Sequence, residues 1–350
     1  MNQTIETAAP EPASADSAPS AVVVPAGPGG GGVKARLVAF AEAYALLILL
    51  GVIALFFCFW PQTADTFPTV ANIRILLASQ AVIGVISLGA LLPLLCTEFD
   101  LSVGNVAALS AVFVAAFLSD GGNVLLGVGL AVLVGLAVGT VNAVIVTRGH
   151  VSGVITTLGM STILAGVILQ RTGGLAPASD IPDSLTSFGT GLVAGVPAIF
   201  ITLIVVAGAV YFVLSHTSFG RQMYAVGSNV EAAKLVGLRV DRIRGIAFVA
   251  GSVLCAIGGL LYVSRAGGAS PNVGATFTLP ALAAAFLSAA AVRPGRFNVW
   301  GTVVAIFFLA VLNNGLNLAG VKPYVNDYVN GGALIIGVAM AAVLYRRRTT

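Results

Sequence analysis

From about residue 44 onward this chain is built of continuous apolar runs, and they leave few folds open. Bilayer hydrocarbon holds no water to satisfy backbone N–H and C=O groups, so a spanning segment must close its own hydrogen bonds as a helix or share them in a closed barrel. About 20 residues, each rising about 1.5 Å, cross the roughly 30 Å of hydrocarbon. The runs are unbroken rather than alternating with polar residues, which predicts helices and an all-α, polytopic membrane protein. Ten spans are expected, at roughly 44–60, 75–96, 105–118, 124–146, 151–169, 199–215, 245–263, 279–292, 300–320 and 328–345. The third and eighth are short, and SDGGN joins the third tightly to the fourth, so counts of eight or nine stay open. Only 9% of residues are charged, against roughly 25% in a soluble domain.

Residues 1–33 are rich in Ala, Pro, Ser and Gly and end in the run Gly29 to Gly32, which reads as a disordered cytoplasmic tail ahead of a membrane domain over 34–350. A secretory signal would open on basic residues, whereas the first here is Lys34. Membrane insertion retains Lys and Arg on the cytoplasmic side. With the N-terminus inside and ten spans, 13 of the 17 basic residues fall inside; Arg74, Arg171, Arg265 and Lys322 fall outside. Both termini are therefore expected in the cytoplasm, with the Arg171–Ala198 loop at the outer surface.

An internal repeat is visible at an offset of 170 residues. VGNVAALSAVFVAAFL from Val103 resembles VGATFTLPALAAAFLS from Val273, and TVNAVIV around Asn142 faces NNGLNLA around Asn314 at an offset of 172. Five spans per half would invert the second copy relative to the first and place a solute path between them. Shared Ala/Val-rich composition is the competing explanation.

The segment EFDLSVGNVAALS, Glu98 to Ser110, carries the two carboxylates nearest a span. A carboxylate at the bilayer centre costs on the order of 3 kcal/mol, so Glu98 and Asp100 belong at an interface or facing a polar interior. Pro93 lacks the N–H owed to Gly89, so the second span should kink or end there. Asp100 or Ser102 can cap the following helix, and Gly104 permits close helix approach. A capped turn, a solute contact and a gate all fit.

Between His216 and Gly245 lies the long inside loop HTSFGRQMYAVGSNVEAAKLVGLRVDRIRG. Ser228 with Glu231 three residues on forms a capping box, and Gly237 supplies a left-handed stop, predicting a helix of about two turns over Asn229 to Val236. So short a helix needs a surface to rest on. Glu231 and Lys234 suit a polar protein partner; the chain itself or anionic head groups would serve as well. Amides and hydroxyls in or near the spans are candidates for a hydroxyl-rich solute, because they donate and accept: Asn105, Asn142, Thr157, Asn313, Asn314 and Asn317, with Gln80, Thr156 and Ser161 beside them. Asn313 and Asn317 share a helix face. The same groups also bond helices to one another.

FDLSVG, VITTLGMSTI, FGRQMYAVGSNVEAAKLVGLRV, SRAGGASPNVG and VWGTVVAIFFLAVLNNGLNLAGV follow one another in the order seen in the permease subunit of ribose-type ABC sugar importers, and over residues 70–345 the chain resembles that family. The resemblance implies a multi-pass protein of the bacterial inner membrane that carries a sugar or similar small polar solute into the cytoplasm. It implies as partners a second permease copy, identical or related, an extracytoplasmic solute-binding protein and a cytoplasmic ATPase that holds the ATP and Mg. It also implies that Gly227, Ser228, Asn229, Glu231, Ala232, Ala233, Lys234 and Gly237 present a coupling helix to that ATPase, and it leaves Asp100, Ser102, Asn105, Asn142, Thr157, Asn313, Asn314 and Asn317 as the solute path. Two departures stand out. Relatives carry Gly-Gly-Ile where this chain has Thr97, Glu98 and Phe99, and a Gly/Ser-rich loop where it reads AAAVRPGRFN, Ala289 to Asn298.

Other classes fit less well. None of Lys34, Lys234 and Lys322 follows a glycine, so the chain has no P-loop, and its cofactor set is expected to be empty. His150 and His216 stand in loops with no nucleophile or metal-ligand constellation, which argues against an enzyme, and the net charge of +4 reflects topology rather than nucleic-acid binding. Cys58, Cys96 and Cys255 read as small packing residues. The alternative is an ion-coupled secondary transporter, which ordinarily needs ionisable groups inside the bundle.

Overall fold

Helices occupy all ten predicted spans: α1 (Val33–Phe59), α2 (Val70–Leu95), α3 (Val103–Ser119), α4 (Val124–Thr147), α5 (Gly153–Thr172), α7 (Ala198–His216), α10 (Val240–Ala266), α11 (Val273–Leu287), α12 (Val299–Leu318) and α13 (Tyr324–Thr349). The computed structural model describes residues 33–175 and 180–349, with the backbone alone at 33–43 and 342–349, so residues 1–32 of the expected tail lie outside it. Among the described residues seven helices are long and apolar enough to cross a bilayer, while α3 and the Tyr44–Phe59 part of α1 are apolar but shorter. Three short helices, α6 (Asp183–Thr190), α8 (Ser218–Ser228) and α9 (Val230–Leu235), a 3-10 turn at Ser288–Ala290, and a two-stranded hairpin, β1 (Leu192–Val193) with β2 (Val196–Pro197), complete the fold among the described residues.

Side-chain caps set several helix starts. Thr69, Asn123 and Asn298 accept hydrogen bonds from the N–H groups of Asn72, Leu125 and Gly301, which opens α2, α4 and α12. Elsewhere the expected bounds shift. The eighth span starts at Val273, six residues before the predicted 279, and runs through Pro280; in its first turns the Thr276 and Thr278 hydroxyls bond back to the carbonyls of Val273 and Gly274 at 2.8 and 2.9 Å. Past Pro93, α2 runs only two residues further, to Leu95, and the Pro93 carbonyl then accepts from the N–H groups of Cys96 and Glu98.

The centre of the bundle is α2 packed on α10. Val82 and Ile86 meet Gly258, and Gly89 and Pro93 meet Gly251, so residue numbers rise along one helix as they fall along the other and the pair is antiparallel. A Cβ on Gly89 would lie 2.6 Å from Cys255 Sγ and from Gly251 O, and one on Gly251 would lie 2.6 Å from Gly89 O. Only glycine allows backbones this close, the usual device for helix association in lipid. Around this axis the two halves exchange partners: α10 lies on α3 and α4, and α2 lies on α11 and α12. Each counterpart, at an offset near 170, takes the equivalent place, so the repeat in the sequence is a repeat in the fold.

Gly251→Val is expected to force α2 and α10 apart and destabilise the protein by about 3 kcal/mol. Gly208→Ala, where nothing lies within 4 Å, should leave stability unchanged. Thermal unfolding of both variants in detergent distinguishes them; equal melting points would contradict the packing described.

Candidate functional site: a polar helix crossing and a short exposed helix

Two counterpart helices of the repeat, α3 (17 residues) and α11 (15 residues), meet at their N-termini. A side chain on Gly104 would strike the Gly274 carbonyl and the Thr278 hydroxyl, and one on Gly274 would strike the Asn105 side chain. Neither N-terminus carries a side-chain cap: Ser102 and Asn272 occupy the cap positions without bonding the helix N–H groups. The positive ends of two helix dipoles thus meet at one point with no side chain capping either.

Polar side chains surround the crossing. Asp100 is 2% exposed. It does not cap α3 as expected; one of its oxygens instead accepts from the Ser102 N–H at 2.8 Å and the Ser102 hydroxyl at 2.5 Å, a local turn that competes with the cap. Asn142 on α4 donates to the Ser102 hydroxyl at 3.1 Å. Thr157 on α5 accepts from the Leu101 N–H at 2.9 Å, and Asn105 donates to the Ser161 carbonyl and hydroxyl at 2.9 and 2.7 Å. Asp100, Ser102, Asn105, Asn142 and Thr157 therefore form one cluster. Asp100, Ser102, Asn142 and Thr157 are buried, Asn105 is half-buried, and Asn272 and Thr276 on α11 are exposed beside them.

Asn313, Asn314 and Asn317 lie elsewhere, at the far end of α12. Asn314 and Asn72 exchange amide hydrogen bonds of 3.1 and 3.0 Å; Asn313 donates to Asn330 at 3.1 Å, and Asn326 donates to Asn317 at 2.9 Å. The shared face of Asn313 and Asn317 holds, but α13 occupies it. Asn272 and Thr276 escaped the reading of single residues. The repeat held the signal, since Asn272 is the counterpart of Ser102 at the 170-residue offset.

At the end of the bundle marked by α8 and α9, residues 97–101 contact α5, α10 and α11. Glu98 pairs with Arg244 of α10 at 3.1 Å, with side chains 13% and 22% exposed. Burial pushes the Glu98 carboxyl above its ordinary range, with Arg244 pulling it back in part. Because the shift is upward, this group favours the fold most below the ordinary glutamate pKa, and that contribution fades as pH rises through the folded value. Phe99 stacks on Phe286 at 5.6 Å, and the Leu95 carbonyl lies against Gly227 of α8. A cavity of about 730 Å³ opens here, lined in part by Thr97, Phe99, Tyr224, Phe286 and Arg296. The Arg296 guanidinium lies 4.6 Å over the Tyr224 ring, and Tyr224 donates to the Phe297 carbonyl at 3.1 Å, so the departing loop 289–298 clasps α8 of its own chain.

The loop from His216 to Gly245 holds two helices where one was expected. Thr217 caps α8; Ser228 is its last residue and forms no capping box. Asn229 is the cap of α9, because its extended backbone (φ −157°) lets the side chain accept from the Ala232 N–H at 3.0 Å. Glu231 bonds Lys234 at 3.0 Å, and Gly237 at φ +81° ends the unit as expected. The tip of α9 is apolar and bare, with Leu235 89% and Val236 76% exposed, while Ala233 beneath is buried. A rigid turn presenting bare apolar residues between charges is suited to a protein partner.

Residues 72–339 match the family described as branched-chain amino acid transport system / permease component. The chain is 32% identical to the ribose import permease protein RbsC of Escherichia coli K12 over 87% of its own length and 94% of the relative's. It is 30% identical to the protein of the same name from Bacillus subtilis strain 168, over 88% and 93%, and 30% identical to the autoinducer 2 import system permease protein LsrC of Photorhabdus luminescens, over 75% and 80%. No solved structure matches.

Glu98→Arg would set two cations together in a partly buried place and should cost about 2 kcal/mol. The double variant with Arg244→Glu should recover part of that loss in thermal unfolding. Equal damage by the single and double variants would show that the pair contributes nothing.

Proposed function

The chain belongs to this permease family, and on that premise we propose that it is the membrane subunit of an ATP-driven importer that moves a sugar or similarly hydroxyl-rich small solute into the cytoplasm. The observation that carries the proposal is the α3–α11 crossing: two helix N-termini without side-chain caps and a set of amides and hydroxyls, tied through residues 95–101 to the base of the α8–α9 segment. Amides that both donate and accept suit hydroxyl-rich ligands, and relatives named for ribose and for autoinducer 2 point to small polar cargo.

In this reading the basic end of the bundle faces the cytoplasm of a bacterial cell, across the inner membrane, with both termini on that side. Residues 1–33 are a tail and 34–350 the permease domain. A cytoplasmic ATPase binding ATP with Mg docks on α9 through Glu231, Lys234 and the bare Leu235–Val236 tip. Gly227, Ser228 and Asn229 set the angle of α9, Ala232 and Ala233 seat it, and Gly237 stops it. When the ATPase closes, α9 pulls on α8 and on the start of α10. Arg244 passes the movement to Glu98, and the 97–101 turn passes it to the mouth of α3, opening the crossing to one side at a time. An extracytoplasmic binding protein delivers solute, and a second permease copy, identical or related, completes the path. Asp100, Ser102, Asn105, Asn142 and Thr157 shape that path; Asn313, Asn314 and Asn317, bonded to Asn330, Asn72 and Asn326, stand outside it as helix-to-helix contacts.

One observation favours a second reading. A carboxylate oxygen of Asp100 and the amide oxygen of Asn142 are buried without a hydrogen-bond partner, a place where an ion-coupled transporter could carry a proton or cation. Proteoliposomes separate the two. With the ATPase and binding protein present, uptake should require ATP and ignore proton and sodium gradients; gradient-driven uptake by the chain alone would overturn the proposal. Glu231→Arg should weaken capture of the ATPase about tenfold while membrane insertion stays normal, and unchanged capture would contradict docking on α9.

A further inference from the structure

A groove of about 830 Å³ lies between α4, α7 and α10, away from the crossing. Its walls are apolar, with Leu136 and Val144 on α4, Val210 and Val213 on α7, and Ile246 and Val249 on α10, and Phe219 and Met223 of α8 border it at one end. Arg148, Asp241 and Arg242 also line it, from the residue that caps the C-terminus of α4 and the first turn of α10. All three are exposed, and none belongs to either ion pair found among the described residues. Twelve residues separate Leu136 from Arg148, about 18 Å of helix, close to the roughly 15 Å depth of one leaflet's hydrocarbon.

Apolar walls as deep as one leaflet, with charges gathered only at the mouth, match a phospholipid in shape and polarity. Water would be a poor occupant of such walls, and a soluble protein cannot reach them inside a bilayer. Two arginines provide forked donors for a phosphate. The lone carboxylate of Asp241 would repel a purely anionic head group and accept a hydrogen bond from a primary ammonium. We infer that this groove holds one aminophospholipid from the leaflet on the α8–α9 side, its phosphate between Arg148 and Arg242 and its ammonium on Asp241. Such a lipid would brace α7 and α8 against α10, the helices at the root of the α9 segment. The inference does not depend on which solute is carried or on what drives transport.

The test uses the delipidated full-length chain in detergent, titrated with phosphatidylethanolamine, phosphatidylcholine, phosphatidylglycerol and diacylglycerol and followed by native mass spectrometry. One phosphatidylethanolamine should be retained about tenfold more tightly than the others. Replacing both Arg148 and Arg242 with Gln should abolish the preference for any phospholipid over diacylglycerol, and Asp241→Asn should bring phosphatidylethanolamine down to the level of phosphatidylcholine. Gel-filtration profiles matching the parent, and partial rescue by the double Arg→Lys variant, separate lost binding from lost folding. Retention unchanged in the double Gln variant, equal binding of diacylglycerol, or cross-linking of a second copy of the chain into the groove would overturn the inference.

Discussion

Close approach of backbone to backbone at a few glycines is the constraint on which the rest of this structure depends. In lipid there is little hydrophobic drive to bring helices together, so packing must come from surfaces that fit. Gly89 against Gly251 joins α2 to α10, and Gly104 against Gly274 brings the tips of α3 and α11 together. The first contact makes a scaffold shared by both halves of the repeat. The second creates a place inside a mostly apolar bundle where two helix N-termini without side-chain caps, amides and hydroxyls collect. Without the scaffold the short helices α3 and α11 would have nothing to hold their polar ends away from lipid.

The chemistry and the proposed motor contact stand apart, and the chain between them is short. Residues 97–101 reach α5 through Thr157, α10 through the Glu98–Arg244 pair and α11 through Phe99 on Phe286. Gly227 of α8 lies against the Leu95 carbonyl, so in the proposed mechanism a movement of α8 has a short, packed route to the start of α3. A carboxylate at position 98 makes this connection electrostatic, and the ionised form opposes burial even as it attracts Arg244. A balance of that kind suits an element that must take up two arrangements, because neither is held strongly.

Much of this was legible in the residues. Unbroken apolar runs specify helices, so a helix stands at each of the ten predicted places, seven of them long and apolar enough to cross a bilayer among the described residues. The 170-residue offset announced the repeat, and five spans per half announced its inversion. Asn105, Asn142 and Thr157 were found because polar groups in a span must be satisfied. Less was visible where the decisive fact is a contact between distant residues. Arg244 lies 146 residues from Glu98, and no local pattern pairs them, although an acid beside a span calls for a cation. Both Ser228 and Asn229 can cap a helix, and the choice fell to Asn229 because Ser228 is held inside α8, which the short-helix reading of the loop left out. The asparagines of α12 looked like a solute site because an amide bonded to another amide is indistinguishable, in sequence, from an amide awaiting a ligand.

The central claim is that the α3–α11 crossing is the solute path, and thiol accessibility tests it most directly. Cys96 and Cys255 are buried, so replacing Cys58 leaves little background. In that protein, Asn272→Cys and Thr276→Cys placed one at a time should react with a membrane-impermeant maleimide, and saturating transported sugar should slow the reaction. Labelling only by a membrane-permeant reagent, with no protection by solute, would place the crossing against lipid and contradict the account.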